Sequence, residues 1–363
     1  MQTLSKLQLN ALTTLFMVAV AIKHPPVPMI EAARQDAWMG YIVAGVAIIP
    51  PLWIIGVVHR KYPEGTLPET FVARRPWIGR ALLALVALVF FAILAHDLRF
   101  LTELVNIYLL PNTPPIIIAA TGAFTAVLFA KAGLAATARA NILFVALFIS
   151  QVAALPILLQ GQTRMEFLAP FFERPAGILE AGAYAFGHFA ELLIIPMLLR
   201  DQSLRMRDIA PGFLVGLASN VILIIGELVL FGPDLTTMFW DPPYELIRQL
   251  RVTDFLDRLD MAIAAAWMPT AFVKSGVTIY FLCRLIGLIV PRVNADVLTT
   301  PLAVFAVVVS AWFYDSAAQM IETTRSRPIF LGTFAFVVPL AILAFYGRRK
   351  RKRGPPPAEA ETG

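Results

Sequence analysis

The chain has 363 residues, of which 58% are hydrophobic and 15% are charged. Soluble globular proteins carry roughly 45–50% apolar and about 25% charged residues, so this composition excludes a soluble domain and predicts a membrane protein. The net charge of +6 does not indicate nucleic-acid binding, because the basic residues lie at the ends of apolar segments. One cysteine, Cys283, excludes an internal disulfide framework, and four scattered histidines show no metal-ligand spacing.

Ten segments are apolar enough for transmembrane helices, because a bilayer core about 30 Å thick requires roughly 20 apolar residues. In chain order, the predicted helices 1 to 10 are Leu7 to the break at Lys23–Pro28, Ala37–Val58, Ala81–Leu110, Asn112–Ala130, Ala140–Thr163, Ala181–Leu199, Ile209–Gly226, Phe255–Val290, Val297–Tyr314 and Pro328–Gly347. Helices 1, 3, 6 and 8 contain ionisable residues, whereas the other six are largely uncharged. The sequence therefore predicts one all-α integral membrane domain over residues 1–347.

Most lysines and arginines of the connecting segments lie on one side of the bundle, which predicts that both termini are cytoplasmic. No small-residue cleavage site follows the first helix, so we expect it to be retained rather than removed as a signal peptide. Residues 348–363 form a tail, in which the basic run Arg348–Arg353 favours anchoring to anionic lipid headgroups and the rest is predicted to be disordered.

Ionisable side chains at bilayer depth are informative, because each costs at least about 2.5 kcal/mol there. Helices 1, 3, 6 and 8 carry nearly all of them and are predicted to surround a polar interior; Glu227 in helix 7 is a further case. The predicted ligand-binding residues are Lys23, His24, Pro25, Asp97, Arg99, Phe186, Gly187, His188, Glu191 and Lys274.

Helices 1 and 6 are each predicted to be broken, at Pro25, Pro26 and Pro28 and around Gly187. Each opens a five-helix half, and an odd number of crossings makes the second half inverted. Interrupted helices at matching positions of inverted repeats mark the central site of a transporter. Half-helix ends there present amide groups to a carboxylate and carbonyl groups to an ammonium, which favours an amino acid as ligand.

Several of these residues also have a purely structural interpretation. Arg99 and Glu103 are four apart and can simply pair on one helix face, while Lys274 can serve packing alone. Lys23 can take the place of a sodium ion, which suits a proton-coupled or uncoupled protein, and His188 can relay a proton or make a structural hydrogen bond. We find no phosphate-binding loop, zinc-protease motif or nucleophile elbow, so no enzyme, cofactor or metal is predicted.

A series of short motifs carries a family resemblance. In chain order they are Glu31–Trp38, Tyr62–Leu67, Leu110–Pro114, Gly133-Leu134, Ala138-Arg139 with Ile142–Phe144, Phe186-Gly187 with Glu191-Leu192, and Asp254–Leu259 with Trp267, Phe272–Lys274 and Tyr280. Together they resemble the spore germination permease family, the B subunits of nutrient germinant receptors, within the amino acid/polyamine/organocation superfamily.

The resemblance implies a ten-helix, five-plus-five inverted repeat similar to the leucine transporter, located in the spore inner membrane. It also implies a membrane-embedded A subunit and a lipoprotein C subunit as partners, and a small germinant, often an amino acid, as ligand. The alternatives are a proton-coupled amino-acid permease and a scaffold with a vestigial pocket. One departure bears on the ligand: where the family commonly has Gly-x-Gly in helix 1, this chain reads Val18-Ala-Val-Ala21.

Overall fold

The computed structural model describes residues 3–19, 26–201, 204–250, 259–314 and 316–347, and its regular elements in these ranges are helices. Seven of the described helical spans are long and apolar enough to cross a membrane. Two shorter apolar helices, Thr299–Trp312 and Phe330–Tyr346, accompany them. The tail, residues 348–363, lies outside the described residues.

The first half of the chain contains the predicted helices 1 to 5. Its helices are α1 (Lys6–Val18), α2 (Pro26–Ala33), α3 (Ala37–Lys61), the short α4 (Leu67–Arg74), α5 (Pro76–Leu104), α6 (Pro115–Ala132) and α7 (Leu134–Leu158). Helix α1 corresponds to the predicted helix 1, and α2 overlaps the predicted break and continues beyond it. Arg34, with φ of 51°, ends α2 in a left-handed turn, so that α3 starts as a separate helix.

The second half repeats this order. Its helices are α8 (Pro175–Phe189), α9 (Ile194–Leu198), α10 (Met206–Thr236), α11 (Pro242–Arg248), α12 (Leu259–Ile289), α13 (Thr299–Trp312) and α14 (Ala317–Tyr346). Helices α8 and α9 are the two parts of the predicted helix 6, joined by the 3-10 segment Ala190–Leu193. The short α11 lies outside the membrane-spanning set.

The helix contacts made by α1 and α8 match between the two halves. Helix α1 packs on α10 as α8 packs on α3, and α1 packs on α7 as α8 packs on α14. In each pair the partners occupy equivalent places in their own halves, since α3 and α10 are the second helices and α7 and α14 the fifth. The contacts are those of an inverted repeat in which α1 and α8 lie at the centre.

The contact between α1 and α10 depends on glycine. Gly212 lies directly against the backbone of α1, where a Cβ would be 2.3 Å from the carbonyl oxygen of Asn10. The Asn10 side chain accepts a hydrogen bond from the Gly212 N–H at 2.7 Å, and Thr14 donates to the Gly212 carbonyl at 3.0 Å. Gly216 also lies against α1, and without side chains at these two positions the helices approach closely enough for these bonds.

The break in the predicted helix 1 differs in detail from the expectation. Helix α1 ends at Val18, residues 20–25 lie outside the described residues, and α2 begins at Pro26. Pro26 and Pro28 therefore lie within a helix instead of stopping one.

The break in the predicted helix 6 also lies later than expected. Helix α8 continues through Gly187 to Phe189, and the irregular segment is Ala190–Leu193. Pro196 accounts for this position, because a proline ring clashes with the carbonyl four residues earlier, which here belongs to Leu192. Glu191, rather than Gly187, consequently lies within the irregular segment.

We predict that Gly212→Ala destabilises the protein by roughly 1–3 kcal/mol, the usual range for overpacking. The reason is that the new methyl group meets rigid backbone of α1. Gly122→Ala is the matched control, since its Cβ has its nearest neighbour, an atom of Phe272, at an ordinary 3.4 Å. Thermal unfolding of the purified variants in detergent measures both; equal melting temperatures for the two variants would contradict the assigned α1–α10 contact.

Candidate functional site

A buried cation between two carboxyl groups lies at the centre of the bundle. The ammonium nitrogen of Lys274, on α12, is 2.6 Å from Oδ2 of Asp97, on α5. It also forms an ion pair with Oε2 of Glu191, in the irregular segment between α8 and α9. The three side chains are 3%, 11% and 1% exposed, respectively. We call Lys274, Asp97 and Glu191 the central triad.

The helices explain why these three residues meet. Helix α12 packs along α5, which places Lys274 opposite Asp97. Glu191 reaches the same point because its segment follows 3-10 geometry, which turns side chains differently from an α-helix. Taking a charge out of water costs several kcal/mol, and only close pairing of opposite charges offsets that cost. The triad therefore fixes α5, α12 and the α8–α9 break relative to each other.

A small cavity adjoins the triad. Its volume is about 40 Å³, and its lining includes Ala19 at the end of α1 together with Asp97, Trp267, Thr270 and Ser275. A water molecule occupies about 30 Å³ of the liquid, so the cavity in this conformation admits a water-sized guest. An amino acid requires the cavity to widen.

Arg99 lies next to Glu103 on α5. Its guanidinium nitrogen is 2.7 Å from the Glu103 carboxylate, four residues along the same helix, and both side chains are largely buried. This ion pair along one helix face agrees with the structural interpretation of Arg99. The role of Arg99 in ligand binding stays a prediction.

The three predicted residues on α8 are all buried near its end. Phe186 stacks on Phe336 of α14, with ring centroids 5.0 Å apart, and thus contacts the fifth helix of its half. Gly187 and His188 follow within the last turn, and His188 is 1% exposed. His188 precedes Glu191 by three residues, which puts it one helical turn from the triad. Lys23, His24 and Pro25 fall outside the described residues.

Sequence reasoning missed the polar residues that line the cavity on α12. Thr270 and Ser275 are 2% and 5% exposed, and both line the cavity with Lys274. Thr270 precedes Lys274 by four residues, so helical spacing puts both on one face and provided a usable signal. Ser275 gave no comparable signal, because neutral hydroxyl residues are common in transmembrane helices. Within the described ranges, no group of three or more His, Cys, Asp or Glu side chains is placed to hold a metal ion.

Residues 3–318 match the model of a family described as spore germination protein. The chain is 35% identical over 328 residues to the putative spore germination protein YfkT of Bacillus subtilis (strain 168), covering 90% of this chain and 92% of YfkT.

Among solved structures, the chain resembles Mhp1, a nucleobase-cation-symport-1 family transporter in a closed conformation with bromovinylhydantoin bound. The TM-score is 0.63 at 13% sequence identity, covering 94% of this chain and 78% of Mhp1. This likeness confirms the predicted fold class, an all-α membrane bundle of ten helices in a five-plus-five inverted repeat of the leucine-transporter type.

We predict that Lys274→Met destabilises the protein by about 3–5 kcal/mol, because it leaves two buried carboxyl groups without their shared cation. Adding Asp97→Asn and Glu191→Gln should recover part of the loss, since neutral amides need no counter-charge. Lys131→Met, at an exposed position at the end of α6, is the matched control and should change little. Thermal unfolding measures all of them; a Lys274→Met variant as stable as the control would refute the assigned role of the triad.

Proposed function

Taking as premise that the chain belongs to the spore germination protein family, we propose that it is the B subunit of a nutrient germinant receptor. In this role it binds a small germinant at the central triad and triggers germination by binding, without chemical conversion of the ligand. The observation that carries the proposal is the meeting of Lys274, Asp97 and Glu191 at a helix break.

The chemistry of the triad favours a ligand with an amino group, and an amino acid is the class we propose. Asp97 and Glu191 are hydrogen-bond acceptors for an ammonium, and Lys274 is a donor for a carboxylate. An entering ammonium replaces Lys274 at one carboxylate and frees the lysine to meet the ligand's own carboxylate. The number of charge-assisted hydrogen bonds is then kept while the ion pairs are redistributed.

This exchange supplies a route from binding to signalling. The triad ties α12 to α5 and to the α8–α9 break, so a ligand that takes one of its carboxyl groups weakens one tie. The widening that an amino acid requires of the 40 Å³ cavity acts on the same elements. Germinant binding consequently favours a conformation in which α8 and α9 have shifted relative to α12.

The partners and location follow from the same proposal. We propose a membrane-embedded A subunit and a lipoprotein C subunit as partners, and a multi-pass placement in the spore inner membrane with both termini cytoplasmic. Membrane lipids surround the bundle, in keeping with exposed apolar side chains along its helices, including Leu88, Phe124 and Val308. Movement of α8 and α9 is then sensed by the A subunit.

A second candidate function is a proton-coupled amino-acid permease. The observation in its favour is the transporter fold shared with Mhp1. Purified protein in liposomes separates the two functions. Accumulation of radiolabelled amino acid under a pH gradient would support the permease and contradict a sensor that does not transport, whereas binding without accumulation supports the receptor.

We predict that Asp97→Asn weakens amino-acid binding by roughly 10- to 100-fold, the equivalent of one charge-assisted hydrogen bond of about 1.5–3 kcal/mol. Binding is measured as the ligand-induced rise in melting temperature of the purified protein, in a screen of the natural amino acids. Asp234→Asn is the matched control, because Asp234 is 77% exposed and pairs with Arg34 away from the triad. Equal affinity of both variants for the ligand found with wild type would rule out Asp97 as part of the site.

A further inference from the structure

A second buried acidic group lies apart from the triad, on α10. Glu227 is 0% exposed, and within the described residues neither of its carboxyl oxygens has a hydrogen-bond partner or an ion pair. It lies five residues before Gly232, where α10 is broken by a left-handed residue followed by Pro233. From α3, Tyr41 faces it closely enough to interact electrostatically, and Tyr41 is itself fully buried.

Asp241 is the charged neighbour of Glu227. It is 2% exposed, precedes α11, and interacts electrostatically with Glu227. Its Oδ1 accepts a hydrogen bond from the N–H of Tyr244 at 2.9 Å and so caps α11, while Oδ2 has no partner in the described part of the chain. Burial raises the pKa of Asp241 to about 7; the Tyr244 N–H opposes this, and the charge of Glu245 adds to it.

The basic residues described around this pair are engaged elsewhere. Arg248, on α11, is 3.0 Å from Glu245, and Arg34 is 2.9 Å from Asp234. The guanidinium of Arg164 lies over the ring of Phe167. Tyr108, in the segment Val105–Leu109 that follows α5, interacts electrostatically with Asp241 and Glu245. In the described part of the chain, Tyr41 interacts electrostatically with Glu227, and Tyr108 and Glu245 interact with Asp241.

Two buried carboxyl groups to which none of the described residues brings a cation cannot both be ionised at acceptable cost. One proton shared between them removes the repulsion, and a neutral carboxyl is also far cheaper to bury. The site lies where α11 docks on α10, because Gly226, adjacent to Glu227, leaves room for Leu246 of α11. The protonation state of Glu227 and Asp241 therefore affects how firmly α11 docks on α10.

We propose that Glu227 and Asp241 form a proton-binding site at the predicted outer end of the bundle, and that the bound proton holds α11 against α10. Loss of the proton places two like charges at the start of α11 and releases this helix. Tyr41 connects the site to the centre of the bundle, because its ring stacks on Phe189, two residues before Glu191, with centroids 6.2 Å apart. The proposal concerns the proton alone and does not depend on the identity of the germinant.

The direction of the pH effect follows from the raised pKa of Asp241. The folded protein keeps the proton at pH values where the unfolded chain, with an ordinary carboxyl pKa of about 3.9, has lost it. The stabilisation by the proton is complete below that value and is lost as the pH rises through about 7. Helix α11 should thus be docked at pH 5.5 and more open at pH 8.

Hydrogen–deuterium exchange of the full-length protein in nanodiscs, read by mass spectrometry, tests the proposal without any ligand. After correction for intrinsic exchange rates, peptides covering residues 242–248 should exchange about 30-fold faster at pH 8 than at pH 5.5, because the docking equilibrium changes about tenfold per pH unit between pH 5.5 and the folded pKa of about 7. Glu227→Gln, which removes one of the two like charges, should exchange more slowly than the wild-type protein at pH 8. Glu166→Gln, at an exposed position, is the matched control and should retain the wild-type pH response.

Two results would overturn the proposal. One is equal exchange of residues 242–248 at both pH values in the wild-type protein. The other is fast exchange at both pH values in a folded Glu227→Gln variant, which would show that Glu227 is ionised and paired with a cation. If Glu227→Gln does not fold, Asp241→Asn serves in its place, because asparagine also caps helices and carries no charge.

Discussion

The central ion pairs of Lys274 determine how the rest of this bundle is arranged. A lone ammonium or carboxylate is costly at bilayer depth, whereas the close pairing of Lys274 with Asp97 and Glu191 makes all three tolerable. The three residues come from α12, α5 and the α8–α9 break, which are distant in sequence. The pairing thereby joins the two inverted halves at the point where a helix is interrupted.

The irregular segments place polar groups at positions that regular helices would not give them. The 3-10 segment before Pro196 brings Glu191 into the centre, and the break at Gly232 and Pro233 frees the carbonyl of Val229, which accepts the N–H of Arg164 at 2.8 Å. Glycine, in contrast, allows regular helices to pack closely. Gly212 lets α1 and α10 approach until the Asn10 side chain hydrogen-bonds to the backbone of Gly212. Rigid contacts at α1–α10 and α3–α8 thus surround a centre whose ion pairs can be exchanged.

Much of the fold could be predicted from the sequence, because apolar length and charge placement reflect the bilayer directly. Ten spans, the special status of the first and sixth, and the polar character of the third and eighth all follow from such patterns. The position of the breaks could not be predicted as well. Pro26 and Pro28 read as helix breakers yet lie within α2, and the effect of Pro196 falls four residues upstream. Pairings such as Lys274 with Glu191 depend on tertiary contacts, which periodicity does not encode.

The central claim is that a germinant with an amino group binds at the triad. A structure of the protein with the amino acid found in the thermal-shift screen tests this most directly. The account predicts the ligand's ammonium within hydrogen-bond distance of Asp97 or Glu191, with Lys274 withdrawn from that carboxylate. A ligand bound elsewhere, with the Lys274 ion pairs to both carboxyl groups intact, would contradict it.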